Sequence, residues 1–219
     1  MGDRMKTIVI VGAGKGMGNH IAEKFALNDF RVVLVARRKE ALDEYVEEFE
    51  SKGYESYAEV ADVADEKSLT DAFDKIVSKF DTIDVVVYNA AVMDGGKPSE
   101  LTADEMIVHF KTDVVGAQLS ASKVIPKMKE QGEGAIIFTG GLFGVYPNAY
   151  PDFACMSMDK AALRQLAQMF NAELADDGIF VGIVNIMGVV GGDDEHQPEL
   201  IAEKYWELYS KQEDFEICY

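Results

Sequence analysis

The residues best suited to chemistry begin with a cluster of glycines. Residues 7–11 read Thr-Ile-Val-Ile-Val, and Gly12, Gly14, Gly16 and Gly18 follow within seven positions. A helix-like run opens at Asn19. Glycine allows a tight turn and lets backbone N–H groups come close to a ligand. The helix behind it turns its positive end toward the same point, so an anion is the expected ligand, above all a pyrophosphate. Met17 lies inside this turn. The spacing Gly12-x-x-x-Gly16-x-Gly18 differs from the G-x-G-x-x-G dinucleotide fingerprint. A merely flexible loop is the plainer alternative, but strand, glycines and helix in this order favour a nucleotide site.

Elements to hold such a site recur along the chain. Apolar, β-branched runs at 31–36, 83–88, 135–139 and 180–186 read as buried strands, with weaker ones at 55–60 and 215–219. Between them lie helical patterns at 39–52, 66–80, 153–175 and 200–209. A further long helix opens on a capping box, Thr102 with Glu105, and runs to about Gln131. Gly/Pro loops cover 93–99 and 140–152, and a glycine- and acid-rich loop covers 187–198. Alternation of this kind predicts one α/β domain. It is a doubly wound (Rossmann) parallel sheet of about seven strands, with helices on both faces. Ligands then bind outside the carboxyl ends of the strands.

Composition narrows the partners. The 219 residues carry 21 basic and 39 acidic side chains, a formal charge of −18. Nucleic acid and anionic membranes would be repelled, so a small-molecule substrate is expected instead. There is no run of 18 apolar residues to span a bilayer and no signal-peptide core. Met5 is a candidate start, with Met1–Arg4 an added leader. Cys155 and Cys218 are far apart and match no metal spacing, so they read as free thiols in a reducing cytoplasm.

The strand ends supply the finer expectations. The second strand ends in Arg37-Arg38-Lys39, where a NAD site would hold a carboxylate for the ribose 2′-hydroxyl. Arginine there pairs with a 2′-phosphate in fork geometry, and Lys15 adds charge on the same side. NADP(H) is therefore preferred over NAD(H). After the third strand, Asp62 and Val63 lie where an adenine edge would sit. Asp62 either accepts from the adenine amino group or caps the helix beginning near Asp65. After the fourth strand, small Ala90 and Ala91 leave room for a ribose while Asn89 ties neighbouring loops together.

With these residues assembled, the chain resembles the short-chain dehydrogenase/reductase family over essentially its full length. Val11-Gly12-Ala-Gly-Lys-Gly16-Met-Gly18 is similar to the family's Thr-Gly-x-x-x-Gly-x-Gly turn, and Tyr88-Asn89-Ala90-Ala91 to its Asn-Asn-Ala-Gly motif. The resemblance implies NAD(P)(H) and hydride transfer to or from a carbonyl or alcohol. It also implies cofactor contacts from Gly188 and Val190 after the sixth strand. The catalytic half of the pattern is altered. Lys160 matches the lysine of Tyr-x-x-x-Lys, but Met156 stands where the tyrosine belongs. Gly141 occupies the serine position and Asp113 the asparagine position.

Tyr150 is the candidate replacement acid in the loop before the helix. The plainer reading is that Tyr146 and Tyr150 pack or line a pocket. His196, with no carboxylate beside it in this reading, and Cys155 are expected to be structural. Lys160 and Asp113 are expected to communicate, with Lys160 holding the nicotinamide ribose. The resemblance further implies a homodimer or homotetramer built on the two long helices. Two functions stay open: an NADP(H)-dependent oxidoreductase with altered acid–base groups, or a non-catalytic NADP(H)-binding sensor or partner subunit.

Overall fold

The computed structural model describes residues 4–146 and 150–219. Most of the supposed leader and the centre of the 140–152 loop therefore lie outside the described residues. Seven strands form one sheet: β1 (Lys6–Val11), β2 (Phe30–Ala36), β3 (Ser56–Val60), β4 (Val85–Tyr88), β5 (Gly134–Gly141), β6 (Ile179–Ile186) and β7 (Glu216–Cys218). Their order is β3-β2-β1-β4-β5-β6-β7, and every pairing is parallel.

Parallel strands need crossovers, and the helices supply them. They are α1 (Gly18–Ala26), α2 (Lys39–Ser51), α3 (Glu66–Lys79), α4 (Ala103–Phe110), α5 (Gly116–Gln131), the single turn α6 (Leu142–Val145), α7 (Ala154–Leu174) and α8 (Pro198–Lys211). The strands alternate their side chains between two cores. Val9 and Val11 join one with α3, α5 and α7, while Ile8 and Ile10 join the other with α1, α2 and α8. Both sheet faces are covered, which explains strands without polar alternation.

Boundaries moved by one or two residues where the chain lacks a sharp stop signal. The 140–152 loop is interrupted by α6, because β5 runs on to Gly141 and a helical turn follows. The long helix at 102–131 is also more complex than expected. Its capping box is present, with Thr102 Oγ1 accepting from the Glu105 N–H at 3.2 Å. Between α4 and α5, however, residues Lys111–Val115 wind as a π-helix. The Tyr88 hydroxyl donates to the Thr112 carbonyl there. Gly116 gives that hydroxyl room, since a Cβ would lie 2.5 Å from it.

Candidate active site

The chain's crossovers reverse direction between β1 and β4, and an open sheet binds ligands at such a switch point. The glycine turn leaves β1 there. Gly12 has φ +90°, and a Cβ on it would stand 2.5 Å from the Ala90 nitrogen. Only glycine lets the ends of β1 and β4 pack this closely. A Cβ on Gly18 would meet the Gly12 carbonyl oxygen. Gly14 and Gly16 are different, because nothing lies within 4 Å of their Cβ positions. Two glycines thus fold the turn and two leave its rim bare. Met17 packs its side chain into the core beside α1, so only its backbone faces the turn.

A cavity of about 960 Å³ extends from this turn across the ends of β2, β3 and β4. Gly12, Arg37, Arg38, Asp62, Val63 and 89–92 are among its lining residues. A cavity of this volume and the open space at Gly14 and Gly16 fit a dinucleotide. Lys15 is exposed, with its Nζ 4.0 Å from Glu44 on α2. Asn89 ties the loops: its amide donates to the Gly12 carbonyl at 3.1 Å, and its Oδ1 accepts from the Thr139 hydroxyl at 3.1 Å. The alternative role for Asp62 is resolved. Asp65 is the cap of α3, accepting from the Ser68 N–H at 2.7 Å, whereas Asp62 accepts from Ala64 N–H.

Lys160 and Asp113 meet beneath the end of β5. Lys160 Nζ donates to the Thr139 carbonyl at 3.0 Å and lies 3.7 Å from Asp113 Oδ1. The π-helical turn carries Asp113 inward, and its Oδ2 accepts from the Val92 N–H at 2.9 Å. Burial pushes the Lys160 ammonium down and the Asp113 carboxyl up; each is opposed by the other's charge. Gly144 of α6 is fitted against Lys160, whose carbonyl oxygen lies 2.6 Å from its Cβ position.

The positions of the altered residues are equally definite. Met156 is buried. Gly141 is extended, and a Cβ there would touch only the Ile186 carbonyl at 3.5 Å, so a serine side chain has space. Tyr150 packs edge-on against Phe143, ring centres 5.1 Å apart. Val190 is exposed in the loop after β6. Gly188 makes room for the His196 ring, which would lie 2.5 Å from a Cβ. His196 is not without a carboxylate: its Nδ1 is 2.8 Å from Asp193 Oδ1, because the loop folds back on itself over three residues. It therefore closes that loop.

Sequence reasoning missed His109, Asp159 and Asp94, which adjoin the Lys160 pair. The signal was available in their spacing: His109 precedes Asp113 by four residues on one helix, and Asp159 is next to Lys160.

A doubly wound sheet with a glycine-turn nucleotide site at its switch point defines an NAD(P)-binding Rossmann protein. Residues 6–194 match the family described as short chain dehydrogenase. A diacetyl reductase [(S)-acetoin forming] of Staphylococcus epidermidis is 32% identical over 180 residues, covering 80% of this chain and 68% of the relative. A 3-oxoacyl-[acyl-carrier-protein] reductase of Staphylococcus aureus is 31% identical, covering 82% and 72%. A metagenomic short-chain oxidoreductase, solved in complex with NADP, superposes with TM-score 0.87 at 25% identity, covering 97% of this chain and 95% of that one. The chain belongs to the short-chain dehydrogenase/reductase family. No described helix is long and apolar enough to cross a membrane.

Proposed function

We propose that the protein is an NADP(H)-dependent oxidoreductase that moves hydride to or from a small carbonyl or alcohol. The observation that carries this reading is the pair Arg37 and Arg38 on the wall of the nucleotide cavity, at the end of β2. No carboxylate stands there to repel a 2′-phosphate. The solved relative in complex with NADP supports the same choice. When bound, the nicotinamide supplies the hydride. This chain's residues bind and orient: the glycine turn takes the pyrophosphate, Arg37 the 2′-phosphate, and Lys160 the nicotinamide ribose. The relatives' names make diacetyl and 3-oxoacyl compounds the first substrates to assay.

A second reading is favoured by Met156 and Gly141, which carry neither the acid nor the hydroxyl of the family pattern. In it the protein binds NADP(H) without turnover, as a sensor or partner subunit. Turnover of diacetyl with NADPH separates the two, beside the double variant Met156→Tyr, Gly141→Ser. Activity in the unmodified protein supports the oxidoreductase. Activity only in the double variant supports the binding protein. The reading includes a cytoplasmic location, supported by two unpaired cysteines, and self-association through α4, α5 and α7.

A further inference from the structure

A line of hydrogen bonds runs from α8, through β5 and the end of β4, to the glycine turn. Tyr205 of α8 is fully buried, and its hydroxyl lies 2.7 Å from the hydroxyl of Thr139 on β5. Thr139 Oγ1 donates to Asn89 Oδ1 at 3.1 Å, and Asn89 Nδ2 donates to the Gly12 carbonyl at 3.1 Å. The far end fixes the direction of every proton. A carbonyl oxygen only accepts, so the amide nitrogen of Asn89 must face Gly12. Asn89 Oδ1 then faces Thr139 and takes its one hydroxyl proton. Thr139 must in turn accept from Tyr205. Reversing either inner link would set two acceptors face to face. Burial pushes the Tyr205 hydroxyl up from the ordinary tyrosine range, against the pull of Thr139, so the donated proton stays in place. Bonds aligned in one sense polarise one another.

The line ends where the turn becomes a helix. The Gly12 carbonyl lies against Gly18, the first residue of α1, where a Cβ would strike it. Its direction therefore sets how the turn enters the helix whose positive end faces the expected pyrophosphate. The line begins on α8, which contributes no residue to the wall of the nucleotide cavity. Thr139 is the hub: its side chain joins Tyr205 to the turn, and its backbone carbonyl accepts from Lys160 Nζ at 3.0 Å.

We propose that Tyr205 is a positioning residue for the cofactor. Through Thr139 and Asn89, its hydroxyl holds the Gly12 carbonyl, and with it the glycine turn, in the geometry that binds a pyrophosphate. The proposal rests on the nucleotide-binding reading and holds for both the catalytic and the non-catalytic form of it. The line stops at the turn and does not include Arg37 or Arg38. Tyr205 therefore acts on the part of the cofactor that NADPH and NADH share, and not on the choice between them.

The test uses Tyr205→Phe, Thr139→Val and the double variant, with fluorescence titration of NADPH and of NADH and a thermal melt of each protein. Phenylalanine keeps the buried ring and valine the β-branched shape, and both leave the Thr139 carbonyl for Lys160. Each single variant is expected to weaken both cofactors by the same factor, about threefold to tenfold, the range of one neutral hydrogen bond. The double variant is expected to bind no worse than Thr139→Val, because that change has already cut the line. It should also melt no lower, since Thr139→Val alone leaves the Tyr205 hydroxyl buried and unpaired. Lower melts with unchanged affinity for both cofactors leave Tyr205 a structural role only and overturn the proposal, with the nucleotide reading intact. Additive losses in the double variant, or a loss confined to NADPH, also overturn it. Failure of the unmodified protein to bind either cofactor overturns the nucleotide reading and this proposal together. Should the variants fail to fold, ¹³C NMR of Tyr205 Cζ in the unmodified protein decides: a shift on saturation with NADPH supports the link, and an unmoved resonance overturns it.

Discussion

Lys160 Nζ stands 3.7 Å from Asp113 Oδ1, with both side chains sealed from solvent. The ammonium also donates to the Thr139 carbonyl, and the carboxylate also accepts from the Val92 N–H. Each charge therefore has a second partner besides the other. Breaking a buried pair leaves one charge uncompensated, at a cost of about 3–5 kcal/mol.

Lys160→Met should therefore destabilise the fold by about 3–5 kcal/mol and weaken NADPH binding. Asp113→Asn leaves the buried Lys160 ammonium without its partner, so it should destabilise comparably but weaken NADPH binding less. Urea denaturation and fluorescence titration with NADPH measure the two effects. Equal losses of NADPH affinity in both variants would contradict the ribose role of Lys160.

Arg37→Asp should remove or reverse the preference for NADPH over NADH. A charge-assisted hydrogen bond contributes about 1.5–3 kcal/mol, so the affinity ratio should shift by roughly tenfold to a hundredfold. Equal dissociation constants for the two cofactors in the unmodified protein would refute the 2′-phosphate assignment.

Gly12→Ala and Gly16→Ala should separate sharply. At Gly12 the positive φ and the Ala90 backbone leave no place for a methyl group, so nucleotide affinity and stability should both fall. Gly16 has open space around its Cβ position, and its variant should melt close to the unmodified protein. Paired thermal melts with and without NADPH check this.

Asp159 should give stability a distinct pH signature. Its folded-state value of about 6 lies above the ordinary 3.8, so the folded chain holds more protons than the unfolded one between the two. Its contribution to stability therefore falls as pH rises from about 4 to about 6. Asp159→Asn should gain on the unmodified protein across that window and hold the gain above it. Chemical denaturation of both at a series of pH values gives the difference, and a constant difference would count against a raised carboxyl.

Self-association should bury the outer face of the long helices. Met106, Ile107, Phe110, Met158 and Met169 are all large, apolar and exposed there. Light scattering should give a multiple of the 24.1 kDa chain mass, and Phe110→Glu should lower it. A monomer at micromolar concentration would remove this proposal.

Much of the fold was legible because its signals are local. Buried β-branched runs such as Ile8–Val11 and the Thr102–Glu105 capping box are written in adjacent residues. Strand order and the nucleotide turn follow from them through the rules for parallel sheets. What stayed hidden depends on contacts between distant segments. At the π-helical turn Tyr88, more than twenty residues upstream, donates to the Thr112 carbonyl. The His109–Asp159 contact requires two helices fifty residues apart to pack in one register. The carboxylate beside His196 was missed for a different reason: Asp193 lies in a loop whose folded-back path has no periodic pattern.

The π-helical turn at Lys111–Val115 links two surfaces that would otherwise be free to vary separately. Such a turn inserts a residue relative to an α-helix, and each residue turns a helix by roughly 100°. Deleting one residue from the segment would restore regular winding and swing α4 relative to α5. Asp113 would turn away from Lys160, and the apolar stripe of Met106, Ile107 and Phe110 would point in a new direction. Phase along this one helix therefore indexes the buried charge pair and the outer stripe together. A change that re-times the helix to suit one must re-time the other.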